Sequence, residues 1–122
     1  MLKILPGTSF LENSKKAYEK YHYTCVYCGF DGRPFDSWMQ LSIDHIRPIS
    51  SGGTDALKNL VVCCRMCNSM TGRMKFDLKV PIPEILEMKR KRVLERREIF
   101  YKDWVETVAP KYLNRPLPKI SS

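Results

Sequence analysis

Long hydrophobic runs are scarce in this sequence, and so are export signals. No apolar stretch approaches the roughly 20 residues of a membrane-spanning helix, so we expect no membrane partner. The opening residues, MLKILPGTSFLENSKK, break at Pro6-Gly7 and do not resemble a signal peptide. The five cysteines are an odd number. Together these features predict a cytoplasmic, reducing location, where paired cysteines bind metal more often than they form disulfides.

Acidic residues are also in the minority. There are 13 Asp and Glu against 21 Lys and Arg, which gives a formal net charge of +8. A field of this sign favours a polyanionic partner, nucleic acid first, although it also serves general solubility. The length of 122 residues suits one domain. The core of such a chain is small, and a metal or disulfide staple is common at this size.

The chain divides by pattern into a central unit and a helical extension. We predict a single domain over 1–122, with a core finger at about 23–75, a helix at about 83–109 and a loose tail at 110–122. In the core, QLSIDHI and NLVVCC have the character of strands. In the long helix, Leu86, Val93, Phe100 and Trp104 recur at helical spacing. We therefore expect this stripe to pack on the core, and for Phe100, Tyr101 and Trp104 we prefer packing to the alternative of stacking on bases.

Two Cys-x-x-Cys pairs are the strongest chemical signal. Each pair offers two thiolates on a tight turn, and two such knuckles complete a tetrahedral zinc shell. The predicted structural zinc ligands are Cys25, Cys28, Cys64 and Cys67.

Two further residues compete for this role. Cys63 gives a poorer knuckle with Cys67 and continues an apolar strand, so we interpret it as core. His22, three residues before Cys25, is an alternative ligand, and a surface histidine is the interpretation that we prefer.

The segment between and including the knuckles resembles the HNH endonuclease family. The matching residues are the Cys-x-x-Cys-Gly turn, then IDHIRPISSGGTDALKNL, then CRMCNSMTG, over about residues 23–75. The resemblance implies an α+β fold: a small zinc-stapled ββα-metal finger, treble-clef-like, with flanking helices that here include a long C-terminal one. It also implies a metal-dependent DNA endonuclease whose products carry 5′-phosphate and 3′-hydroxyl ends.

The resemblance also implies roles for four residues. His45 takes the position of the general base, and Asp44 that of a carboxylate ligand to a catalytic Mg²⁺ or Mn²⁺. Asn59 matches the central Asn that fixes the loop between the strands and orients the histidine. The third family position falls on Asn68, where the family name implies His. An amide oxygen there suits a hard cation, so we expect Asn68 to be the second protein ligand.

Basic residues in and beside the finger are the expected phosphate contacts. They are Arg47, Lys58, Arg65, Arg73 and Lys75. The basic run at 89–92, with Arg96 and Arg97, is either a further DNA contact or a solvated helix face, because six acids share that helix. A non-catalytic zinc-stapled nucleic-acid-binding module is the alternative function. A homodimer, or a partner protein that supplies specificity, is also compatible with the sequence.

Overall fold

The computed structural model describes residues 10–120, which form a two-stranded sheet and five α-helices. The strands are β1 (Leu41–His45) and β2 (Leu60–Cys64). The helices are α1 (Phe10–Lys20), α2 (Phe35–Trp38), α3 (Arg65–Thr71), α4 (Ile82–Thr107) and α5 (Ala109–Tyr112). Residues 1–9 and 121–122, which the single-domain prediction includes, lie outside the described part. The predicted α+β class is confirmed, with both strands and the long C-terminal helix present.

The sheet is an antiparallel hairpin with a long connection. Leu41 pairs with Cys64 at one end and His45 with Leu60 at the other. All five residues of β2 are buried, which explains why LVVCC is continuously apolar rather than alternating. The connection at 46–59 contains two short 3₁₀ turns, Ile49–Ser51 and Leu57–Asn59. It therefore returns the chain to β2 directly beside the end of β1.

Only the first half of α4 packs on the finger. Ile85 and Val93 are fully buried in the core. Further along the same stripe, Phe100 is 55% exposed and Trp104 is 37% exposed. The expectation that the whole stripe is core therefore fails beyond Val93, because the helix is longer than the finger that it covers. No helix among residues 10–120 has the length and apolar character needed to cross a bilayer.

Candidate metal centre and active site

The two cysteine knuckles meet in space. In the first, the Gly29 amide donates to the Cys25 carbonyl oxygen at 2.9 Å, and Gly29 has a φ of 77° that favours glycine. In the second, Cys64 ends β2 and its sulfur accepts from the Cys67 amide at the start of α3. The sulfur atoms of Cys25, Cys28, Cys64 and Cys67 all lie within 4.8 Å of one another. The Val26 amide in the first knuckle donates to the Val62 carbonyl oxygen of β2 at 2.9 Å, and this bond holds the first knuckle beside the strand that ends in the second.

The cysteine cluster has the dimensions of a zinc site. A tetrahedron with Zn–S bonds of about 2.3 Å has S···S separations of about 3.8 Å. The Cys28 and Cys64 sulfurs are 3.8 Å apart. The cluster can therefore hold zinc, as the spacing predicts. Neither alternative residue joins it, because Cys63 and His22 are not among the clustered ligands in the described part of the chain.

The pKa values of the thiols also distinguish Cys63 from the clustered cysteines. Hydrogen bonding from Cys67 lowers the pKa of Cys25 to about 4, and the same contact raises the pKa of Cys67. One thiolate is thus favoured within the group even before metal displaces the remaining protons. Burial raises the pKa of Cys63 to about 12. Cys63 is a protonated core thiol, 3.4 Å from the Ser42 hydroxyl.

Asp44, His45 and Asn68 line a single groove of about 640 Å³. The end of β1 supplies the first two residues, and the first turns of α3 supply Asn68. Arg65, at the start of α3, lines the same groove. The second knuckle fixes α3 against the hairpin, so the cysteine cluster indirectly sets the position of Asn68 relative to β1.

Asp44 is held by two partners that the sequence motif does not include. Its Oδ2 accepts from the Tyr27 hydroxyl at 2.5 Å and from the Lys89 ammonium at 3.1 Å. Lys89 extends from α4, is 1% exposed, and also donates to the His45 carbonyl oxygen at 2.9 Å. Burial, together with the Asp44 charge, raises the pKa of Tyr27, which keeps its hydroxyl a donor. The carboxylate is therefore fixed in one orientation.

The free oxygen of Asp44 and the Asn68 amide fit a hard divalent cation. Both bonds to the Asp44 carboxylate end on Oδ2. Within residues 10–120, Oδ1 accepts no hydrogen bond and is the carboxylate oxygen left for a cation. The Asn68 side chain has no hydrogen bond within the same residues. Carboxylate and amide oxygens are the ligands that Mg²⁺ and Mn²⁺ prefer, although the nearby Lys89 charge opposes a second cation.

His45 is oriented by the loop that follows β1. Its Nε2 lies 2.8 Å from Asp55 Oδ1, and Phe10 of α1 stacks on the imidazole ring with centroids 5.5 Å apart. An ionised carboxylate only accepts, so in this contact a neutral imidazole would carry its proton on Nε2 and keep its lone pair on Nδ1. Asn13 of α1 donates to the Asp55 carbonyl oxygen at 2.9 Å. Helix α1 thus contacts the His45 ring directly through Phe10 and holds its partner Asp55 through Asn13.

Asn59 braces the same loop. It is 1% exposed, and its side-chain oxygen accepts from the Arg47 amide at 2.8 Å. Its amide nitrogen donates to the carbonyl oxygens of Arg47 and Thr54, at 3.0 and 2.8 Å. These bonds connect Asn59, at the end of the loop between the strands, to Arg47 at its start and to Thr54, the residue before Asp55. Asn59 itself does not line the groove.

The predicted phosphate contacts fall into two groups. Arg47 is 8% exposed, and its guanidinium donates to the backbone carbonyls of Asp77 and Val80. The guanidinium is therefore bound to the segment that leads to α4 and is not available to DNA. We remove Arg47 from the predicted phosphate contacts. The other four predicted residues are exposed: Lys58, Arg65, Arg73 and Lys75.

Sequence reasoning missed Tyr27 and Asp55, and it wrongly included Lys89 in the basic run at 89–92 as a DNA contact or a solvated residue, whereas Lys89 is buried against Asp44. A signal existed only for Lys89, which lies four residues after Ile85 and four before Val93 on the apolar stripe. A lysine at a core position needs a buried partner. Nothing in the sequence pairs Asp55 with His45 or Tyr27 with Asp44, because those contacts depend on how the loop and the first knuckle fold back.

Residues 25–73 match the HNH endonuclease family. The matched segment begins at the first knuckle cysteine and ends just after α3, so it contains the cysteine cluster and the residues that line the groove from β1 and α3. A search of curated proteins gives no match to this chain. The family predicted from the sequence is confirmed for this segment, which is a nuclease-type or metal-binding module.

Proposed function

We propose that this protein is a metal-dependent HNH-type DNA endonuclease that hydrolyses phosphodiester bonds. The observation that carries the proposal is the single groove lined by Asp44, His45 and Asn68. A binding module would need the cysteine cluster and a basic surface. It would have no use for a histidine held in one orientation beside a carboxylate oxygen that accepts no hydrogen bond within residues 10–120.

In this proposal each residue has a distinct task. His45 Nδ1 accepts the proton of the attacking water, while Asp55 holds the ring and stabilises the imidazolium that forms. Asp44 Oδ1 and Asn68 would hold Mg²⁺ or Mn²⁺. When bound, such a cation neutralises charge on the phosphate and stabilises the leaving 3′ oxygen. Arg65 at the groove edge binds a neighbouring phosphate, and Asn59 keeps the loop that carries Asp55 in place.

The cellular setting and the assembly are also proposals. Five free cysteines suit a reducing cytoplasm. Cleavage of both strands of a duplex needs two sites, which a second copy would supply, and a partner protein would supply any sequence specificity.

The test is cleavage of supercoiled and branched DNA with and without added Mg²⁺ or Mn²⁺. We expect nicking or linearisation only with the cation. Asp44→Ala and Asn68→Ala should need more cation for the same rate, whereas Asp36→Ala and Asn114→Ala, which change exposed residues outside the groove, should match the parent. If the folded, zinc-loaded parent cuts no DNA with any divalent ion, the non-catalytic zinc-stapled binding module is the better account.

A further inference from the structure

A second groove lies between α3 and the half of α4 that leaves the core. It consists of two adjoining cavities that share Met66, Met70 and Phe100. Four arginines line one cavity or the other, and none of their side chains forms an ion pair or hydrogen bond within residues 10–120. They are Arg73, Arg92, Arg96 and Arg97. No acidic side chain from the described residues lines it either. The acids of α4 therefore do not neutralise this face, and its chemistry favours an anion.

Exposed apolar and aromatic side chains alternate with these arginines. In the larger cavity, of about 430 Å³, Met66 and Met70 of α3 face Phe100 and Trp104 of α4. This volume is within the range of about 300–1,000 Å³ typical of ligand pockets. Of the four arginines, Arg97 lines this cavity, and the other three line the adjoining cavity of about 230 Å³. Tyr101 and Trp104 are tilted by 39° to each other, so they are not stacked face to face. We call this surface, lined by the four arginines and these apolar side chains, the arginine–aromatic cleft.

The arginine–aromatic cleft adjoins the groove lined by Asp44, His45 and Asn68, which we call the catalytic groove. Ser69 of α3 lines both, and its neighbour Asn68 lines the catalytic groove. Helix α3, which has seven residues, thus lies between the catalytic groove and the cleft and contributes residues to both. A strand bound in one can continue into the other.

We propose that the arginine–aromatic cleft binds an unpaired segment of the DNA strand next to the scissile phosphate. Single strands are bound by a combination of positive charge for the phosphates and aromatic faces on which bases stack. Duplex bases have their faces covered, so Phe100 and Trp104 could not stack on them. This inference rests on the proposed nuclease function and specifies its substrate as DNA with a single-stranded flank, such as a branch or overhang.

A second copy of the chain is the rival occupant. Pairing two such clefts would bring arginines against arginines without acids to offset them, which opposes association. A nucleic-acid strand brings the opposite charge, and charge complementarity therefore favours DNA.

The binding test uses a Trp38→Phe, His45→Ala protein without added divalent cation. The chain has two tryptophans, so Trp104 becomes the only one, and cleavage does not contribute. We expect fluorescein-labelled oligo-dT to bind and to quench Trp104 fluorescence. A blunt duplex of equal length should bind without that quenching, and a duplex with a single-stranded overhang should restore it.

Two variants and a matched control assign the contacts. Trp104→Ala should weaken oligo-dT binding by about 5- to 150-fold. Arg92→Gln with Arg96→Gln should reduce the log–log salt slope by about 1.4, since each single-strand phosphate contact contributes about 0.7. Lys91→Gln with Lys111→Gln removes the same charge from exposed positions outside the cleft and should leave the slope larger than in the arginine variant.

Each outcome distinguishes the inference from the proposed function. Equal effects of the arginine and lysine variants, or no quenching of Trp104 by oligo-dT, would overturn the inference even if the parent protein cuts DNA. Quenching of Trp104 by protein concentration alone, with a dimer in sedimentation, would assign the cleft to a second copy. Oligo-dT binding by a parent that cuts no DNA would instead remove the nuclease proposal and leave the cleft as a strand-binding site.

Discussion

At the residue scale, the groove lined by Asp44, His45 and Asn68 depends on side chains outside the family motif. Asp55 orients His45, and Lys89 with Tyr27 orients Asp44. The Lys89–Asp44 ion pair is almost completely buried from solvent, with the two side chains 2% and 11% exposed. Its ammonium stands close to where our proposal puts a divalent cation. We infer that the cation binds most tightly together with a DNA phosphate, whose negative charge offsets Lys89.

Lys89→Met tests the buried pair through stability. Removal of Lys89 leaves the largely buried Asp44 charge without its cation and with only the Tyr27 hydroxyl bound to Oδ2, so we expect a loss of about 3–5 kcal/mol in the free energy of unfolding. Asp44→Asn in the same protein should recover part of that loss. The measurement is urea unfolding of the zinc-loaded protein. Lys91→Met, at an exposed position of the same helix, should change stability by no more than about 0.5 kcal/mol. Equal losses for the two lysine variants would contradict the pairing.

At the scale of secondary-structure elements, the hairpin and α3 act as one unit through the cysteine cluster. The sequence predicts both strands well, because β-branched and apolar runs fit a buried hairpin. It also predicts which four cysteines cluster, because the Cys-x-x-Cys spacing constrains each turn. It does not predict how much of α4 packs on the core. The spacing of Phe100 and Trp104 indicates that they share one helix face, but it does not indicate whether another element covers that face. The contact of His45 with Asp55 depends on loop geometry, which no local pattern encodes.

The long loop between the strands is held by close packing as well as by Asn59. A Cβ added at Gly53 would lie 1.8 Å from the Arg47 carbonyl oxygen. The loop can therefore close beside His45 only because that position carries no side chain.

Serine variants of the cysteines test the metal centre at this scale. Cys25→Ser or Cys67→Ser should lose zinc and unfold at lower temperature, because metal binding and folding are coupled. Cys63→Ser removes a buried thiol that contacts Ser42 and is not among the clustered ligands, so it should keep one zinc per chain. Elemental analysis and thermal unfolding give both readouts. Zinc loss in the Cys63 variant, with zinc kept in the Cys67 variant, would overturn the ligand assignment.

At the scale of the whole molecule, the excess of positive charge has three different uses. Arg47 and Lys89 are buried structural cations. Lys58, Arg65 and Lys75 are exposed in or beside the finger, and the arginines of the arginine–aromatic cleft form a separate surface. Net charge predicts a polyanionic partner but does not distinguish these uses, because burial and pairing depend on the fold.

Salt dependence of duplex binding tests the finger surface. If Arg65 contacts a phosphate, Arg65→Gln should reduce the slope of log affinity against log salt by about 0.9. Arg33 is paired with Asp31 through bonds of 2.8 and 2.9 Å, so Arg33→Gln should leave the slope close to that of the parent. Fluorescence anisotropy with a blunt duplex, at salt concentrations from low to physiological, gives the slopes. A parent affinity independent of salt would remove the electrostatic DNA surface.

The most direct test of the central claim is the single-turnover rate of plasmid cleavage by His45→Ala at saturating Mg²⁺ or Mn²⁺. Zinc content, unfolding and DNA affinity should match the parent, so that a change in rate reports chemistry alone. We predict a fall of about 10²–10⁴-fold, the typical loss when a general base is removed, and a smaller fall for Asp55→Ala. A His45→Ala protein that cuts as fast as the parent would contradict the account.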